Sequence, residues 1–418
     1  MKRRAFIRTS AMGLAMAWAV PTFIAKTAGG LHGQTLPASK DGRILVILQM
    51  GGGNDGLNTV IPHADDVYYR NRSQLGIGKG QILRLDDYMG LNPKLTELKG
   101  LYDAGHLAVI NGVGYPNPNR SHFRSMEIWQ TASDADRFEY SGWVGRYFDN
   151  ACKGSADPMV GINFGTQAPQ AFDSPGHQGI CIANANRYLQ AGNSADERGA
   201  AGFQENNDGG SIGELTGRAM DPEAEPAALD FLKKTAVDAG ATHQQIMEIV
   251  RKAPVGGEFP RGALAQSLRL VSLLIAGGVS TKIYYLNQGG YDTHVNQKGT
   301  HERLMQEFSQ SLGAFCADLK ARGVWDRVMI MTFSEFGRRV RENASGGTDH
   351  GAAGPMFVTG GGVKPGLYGK YPSLTELNDG DLRYGTDFRS VYATVLDQWL
   401  GFDSQIVLKK RFAPLSFV

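Results

Sequence analysis

Short apolar runs separated by amphipathic stretches recur from Arg43 to the C-terminus, and this alternation restricts the fold more than any other feature. RILVILQM (Arg43 to Met50), HLAVING (His106 to Gly112), TKIYYL (Thr281 to Leu286), RVMIMTF (Arg327 to Phe333) and PMFVTG (Pro355 to Gly360) read as buried strands. Between them, Leu264, Leu268, Val271 and Ile275 fall on one helical face that stops at Gly277-Gly278. Leu304, Phe308, Leu312, Phe315 and Leu319 mark another helix, with Gly323 beyond it. A helix is predicted from Ser121 to about Thr131, and Asp387 is placed to cap a closing helix, FRSVYATVLDQWL. Strand-helix alternation of this kind predicts an α/β fold with a mostly parallel central sheet covered by helices on both faces. Residues 31–418 are read as one domain, with a flexible insertion or lid at about 184–226, where Asn, Gly, Ala, Asp and Glu leave no periodic apolar face. Tyr140 to Asn150 is read as a helix that either shields the site or joins the core.

Residues 1–30 are set apart. They carry Arg3-Arg4 followed by Phe6 and Ile7, then an apolar run from Ala11 to Val20, the pattern of a twin-arginine (Tat) signal peptide. Ten apolar residues are too few to span a bilayer, and no other segment approaches that length, so no stable transmembrane segment is expected after signal removal. The predicted location is periplasmic or extracellular, with the Tat export machinery as a partner. The leader holds five basic residues and no acids, so its removal takes the formal charge from +2 to −3. A mature chain of that charge lacks the concentrated positive face of a nucleic-acid binder. Cys152, Cys181 and Cys316 are too few and scattered for a thiolate metal site, and folding in a reducing compartment favours buried thiols over a Cys152–Cys181 bridge.

Five polar clusters follow the predicted strands: GGGNDG (Gly51 to Gly56), NRSH (Asn119 to His122), GGYDTH (Gly289 to His294), SEFGR (Ser334 to Arg338) and, after a long loop, TDHG (Thr348 to Gly351). Ligands of open α/β sheets bind beyond the carboxyl ends of strands, so the clusters should converge on one crevice. Asp55, Asp292, His294, Glu335, Asp349 and His350 are the candidate metal ligands. Asp292 and His294 are two apart and share a side in an extended loop, whereas Asp349 and His350 need an irregular one. Carboxylates and imidazoles without thiolates suit divalent ions, zinc ahead of manganese, magnesium or calcium. Ser121 opens a helix, where unpaired amides favour an anion, and is the candidate nucleophile or simply the N-cap. His122 is a candidate base or ligand. Asn54, Arg120 and Arg338 are candidate contacts to substrate oxygens, Arg338 through its guanidinium fork.

With GGGNDGLNT, NRSHFRSMEIWQT, GYDTH, TFSEFGR, GTDHG and TDFRSVYATVLDQWLG in order, the chain resembles the alkaline phosphatase superfamily from about Arg43 to Gly401. Within it the likeness is to the twin-arginine-exported domain of unknown function 1501 family. The resemblance implies an alkaline phosphatase/sulfatase-like fold and a metal-dependent hydrolase acting on a phosphorylated or sulfated substrate. It places Asp55 with Glu335 on one ion, Asp292, His294 and His350 on another, and Ser121 as the attacking group. One residue separates Asp292 from His294 where the superfamily has three, which leaves His301 as a substitute ligand. Ser334-Glu335 stands where an Asp-His pair is usual. Two other readings follow: a non-catalytic member binding a sulfated or phosphorylated polymer or a secreted protein partner, and an SGNH-like serine esterase, since GGNDG resembles the Gly-x-Asn-Asp block whose Asn lines an oxyanion hole.

Overall fold

The computed structural model describes residues 42–152, 157–177, 179–193, 241–254 and 256–418. The predicted leader lies outside them, as does the predicted insertion from residue 194 onward; residues 185–193 of the insertion form a helix, Ala185–Asn193. No described helix is long and apolar enough to cross a membrane.

Nine strands form the central sheet. In chain order they are β1 (Ile44–Met50), β2 (Leu107–Gly114), β3 (Gly161–Phe164), β4 (Ile180–Cys181), β5 (Ile283–Gln288), β6 (Val328–Phe333), β7 (Gly354–Gly360), β8 (Gly366–Tyr368) and β9 (Thr386–Asp387). Their lateral order is β8-β2-β7-β6-β1-β5-β3-β4, with β9 also paired to β2. Every pairing is parallel except those of β7, which runs against β2 and β6. That reversal matters for the site, because the start of β7 lies at the same sheet edge as the carboxyl ends of its neighbours.

Period-two alternation in β1 builds both cores. Ile44, Val46, Leu48 and Met50 enter one apolar cluster, while Leu45 and Ile47 enter the other. The first cluster is covered by α2 (Ala263–Ala276) and α3 (Gln297–Ala321), whose inward faces are the leucine and phenylalanine stripes read from the sequence. The second is covered by α1 (His122–Thr131), the helix Trp143–Ala151 and α4 (Phe388–Thr394). Trp143, Val144, Tyr147 and Phe148 are buried there, so the 143–151 helix is part of the core. Asp387 caps α4 by accepting from the Arg389 amide, and the helix then widens into a π turn over Val395–Trp399. All three cysteines are free thiols.

Candidate metal centre

The central strand β1 is flanked by β5 and β6, and the loops leaving these three strands meet. Gly52, at φ +119°, passes so close to the 291–292 backbone that a Cβ there would lie 2.5 Å from the Asp292 amide nitrogen. Beyond β6, residues 337–339 pair with 349–352 before β7 begins, through Gly337 N to Ala352 O, Gly351 N to Gly337 O and Arg339 N to Asp349 O. His350 is thereby placed in register with Arg338. Gly347 lets this loop lie on the β5 loop, since a Cβ would meet the His294 carbonyl at 2.2 Å.

Three imidazoles and one carboxylate converge at this edge. His294 Nε2 and His350 Nε2 are 2.9 Å apart, and each is 3.1 Å from Asp292 Oδ1. His122, first residue of α1, brings its Nε2 to 3.4 Å from Asp292 Oδ2. The donor atoms of His122, Asp292 and His350 all lie within 4.8 Å of one another. Each ring is held through its other nitrogen: His122 Nδ1 by Glu335 Oε1 at 3.0 Å, His294 Nδ1 by Asp349 Oδ1 at 3.4 Å, and His350 Nδ1 by the Arg120 carbonyl at 2.8 Å. Histidines that bind metals are oriented in this way, with the distal nitrogen tied to a carboxylate or carbonyl.

The donors fit a divalent ion. His122 Nε2 is buried and has no hydrogen-bond partner, a costly state that a cation would relieve. Ligand atoms around a tetrahedral zinc with bonds of about 2.0 to 2.1 Å stand about 3.3 to 3.4 Å apart; His122 Nε2 and His350 Nε2 stand 3.4 and 3.1 Å from the Asp292 carboxylate and form the compact donor triad, while His294 lies outside that triad with its Nε2 2.9 Å from His350 Nε2. Nitrogen-rich donors suit zinc and disfavour magnesium and calcium. Phe336 walls the group, its ring 4.9 Å from that of His122 and 4.5 Å from that of His350. Burial pushes the Asp292 carboxyl up, but the Arg338 hydrogen bond and charge outweigh that and hold it at about 2. Asp349 is also held below its ordinary value, first by the Asn343 side-chain amide, against the opposing effect of burial and with His294 assisting.

Several predicted site residues have different positions. Asp55 is fully buried in a two-pronged ion pair, its oxygens 2.6 and 3.1 Å from the Arg72 guanidinium, and it also accepts from Gln297 Nε2. Burial raises its pKa, and the Arg72 charge and hydrogen bonds bring it below the ordinary value. It is not brought to the histidines. Glu335 is fully buried too, accepting from the Gly52 amide at 2.8 Å and from His122; it orients a ring, and its donors replace the second-ion role expected of it. Asp349 likewise reaches the cluster only through His294.

The three predicted substrate contacts are spent internally. Arg338 has no exposed side-chain surface and donates to the carbonyls of Gly52, Gly53, Tyr291 and Thr348 and to Asp292 Oδ1, so its guanidinium is buried among internal acceptors and is not presented to an oxyanion. Arg120 pairs with Asp379 and Asp381. Asn54 donates to Thr59 and pairs with the buried His301, which removes both the oxyanion-hole role and the substitute-ligand role. Ser121 is exposed at the N-cap of α1 with no side-chain capping bond, between Arg120, whose carbonyl holds His350, and His122. Arg72 and Asn343 were missed because neither lies in a strand-end cluster.

A mostly parallel α/β sheet with a histidine-carboxylate cluster, His122, Asp292 and His350 with His294 beside them, at its carboxyl edge is therefore the class of protein described here. The chain belongs to the family described as protein of unknown function (DUF1501), which it matches over residues 108–412. No curated protein matches it. Its chain course is similar to that of a protein in the alkaline phosphatase superfamily from Vibrio parahaemolyticus (11% identity, 89% of this chain and 70% of that one, TM-score 0.40). It is also similar to phosphonate monoester hydrolase from Silicibacter pomeroyi (10% identity, 90% and 78%, TM-score 0.40) and to alkaline phosphatase from the Antarctic bacterium TAB5 (11% identity, 78% and 94%, TM-score 0.32).

Proposed function

We propose that the protein is an exported, metal-dependent hydrolase of phosphate or sulfate esters, with Ser121 as nucleophile. The observation that carries this reading is the convergence of His122, His294 and His350 Nε2 on Asp292, one residue from a serine hydroxyl that caps nothing. His122, Asp292, His294 and His350 would hold the ion, with zinc the favoured metal. A bound zinc supplies Lewis acidity, lowering the pKa of an oxygen nucleophile and offsetting charge on the ester oxygens.

The chain's own residues do the rest. Ser121 Oγ forms the new bond to phosphorus or sulfur as the bond to the leaving alcohol breaks, and water then releases the acid and restores the hydroxyl. The first amides of α1 have no helical partners and favour the anionic ester end-on. Glu335, Asp349 and the Arg120 carbonyl keep the three rings from turning, and Arg338 fixes Asp292. The twin-arginine pattern of residues 3–7 supports export.

Purified mature protein should hydrolyse aryl phosphate or aryl sulfate esters. That activity should vanish on chelation, return with zinc, and be absent in Ser121→Ala. Hydrolysis that survives chelation, or that survives in Ser121→Ala, would refute the assignment.

A further inference from the structure

A two-ion centre would need a second set of anionic ligands, and the residues that the superfamily resemblance offers for it are Asp55 and Glu335. Both are closed off. The Asp55 carboxylate is buried, with Arg72 Nη1 and Nη2 on its two oxygens and Gln297 on one of them. Arg72 is buried as well, and its Nη2 and Nε also donate to the carbonyls of Arg339 and Val340, at 2.8 and 2.6 Å. Taking Asp55 away to serve an ion would strand a guanidinium in the interior with no counter-charge. Glu335 spends Oε1 on the Gly52 amide and on His122, which already belongs to the histidine group, and its Oε2 lies beside Ser334 Oγ at 3.4 Å.

We infer that the centre is mononuclear and that the buried Arg72 guanidinium is a built-in cation occupying Asp55 in place of a second metal ion. The inference rests on the metal-binding part of the proposed function. Arg72 is therefore a positioning residue: it fixes Asp55, and through the Arg339 and Val340 carbonyls it fixes the loop that carries Asp349 and His350.

The test is the metal count of full mature protein expressed with supplemented zinc and dialysed against metal-free buffer. One zinc per chain is the expected result. Two per chain would overturn the mononuclear assignment while leaving the metal-dependent reading intact, and none would overturn both. The wild-type count requires no variant to fold. Asp55→Asn adds a second arm: a folded fraction whose circular-dichroism spectrum matches wild type is expected to keep one zinc per chain, and a fall to none in that fraction would refute the placing of Asp55 outside the metal centre.

Discussion

Replacing Glu335 with Gln separates a ring-orienting role from direct metal ligation. The substitution keeps the volume of a fully buried side chain and removes its charge. Glu335 Oε1 sits 3.0 Å from His122 Nδ1, and that contact fixes both the tautomer and the direction of Nε2 toward Asp292. A neutral amide can still accept from Nδ1–H but gives the imidazole less basicity. Loss of such an outer carboxylate weakens metal binding roughly 10- to 100-fold, which is about 1.4 to 2.8 kcal/mol. The assay is a zinc dissociation constant measured by competition with a chromophoric chelator, for wild type and Glu335→Gln side by side. An unchanged constant would refute the orienting role. A loss beyond about a thousandfold would show that Glu335 is itself a ligand, as the sequence reading had it.

Three further outcomes follow from the same geometry. Asp55→Asn leaves Arg72 buried without its counter-charge and should cost about 3 to 5 kcal/mol in urea unfolding; a loss under 1 kcal/mol would mean that the ion pair is not structural. Burial holds His301 neutral, with Arg72 and Arg338 adding to that effect against the opposing pull of Asp55, and its pKa falls from 6.5 to about 4. The unfolded chain therefore takes up this proton first on acidification, so stability should drop by about 2 kcal/mol between pH 7 and pH 5. His301→Gln, which keeps a donor for Asn54, should remove that part of the slope, and an unaltered slope would contradict the assignment. Ser121→Ala should leave unfolding within about 0.5 kcal/mol and zinc affinity within about twofold, because the hydroxyl is exposed and caps nothing; a larger change in either would give the serine a structural part.

The strands of the sheet centre were legible because a fully buried strand must be apolar throughout, and β1, β5 and β6 lie within a residue or two of RILVILQM, TKIYYL and RVMIMTF. The edge strands β4 and β8, and β3 beside β4, are only two to four residues long, too short for an apolar run to mark them. The convergence of the site was legible for a different reason: polar clusters after parallel strands share one sheet edge. Asp292, His294 and His350 could be grouped on that ground alone. Which carboxylate binds and which orients was not legible. His122 aims its ring inward only because Glu335, 213 residues away, holds the opposite nitrogen. Asp55 and Arg338 look like site groups in a strand-end motif, yet both are consumed by partners that the folded chain supplies, Arg72 and the four loop carbonyls. Arg72 itself follows a six-residue helix, Asp66–Asn71, where nothing in the local pattern marks it.

The most direct measurement is an anomalous-difference map at the zinc absorption edge from crystals of zinc-loaded mature protein. The account predicts a peak within bonding distance, about 2.0 to 2.2 Å, of His122, His294 and His350 Nε2 and of an Asp292 carboxylate oxygen. A peak between Asp55 and Glu335, or no peak at the histidines, would contradict it.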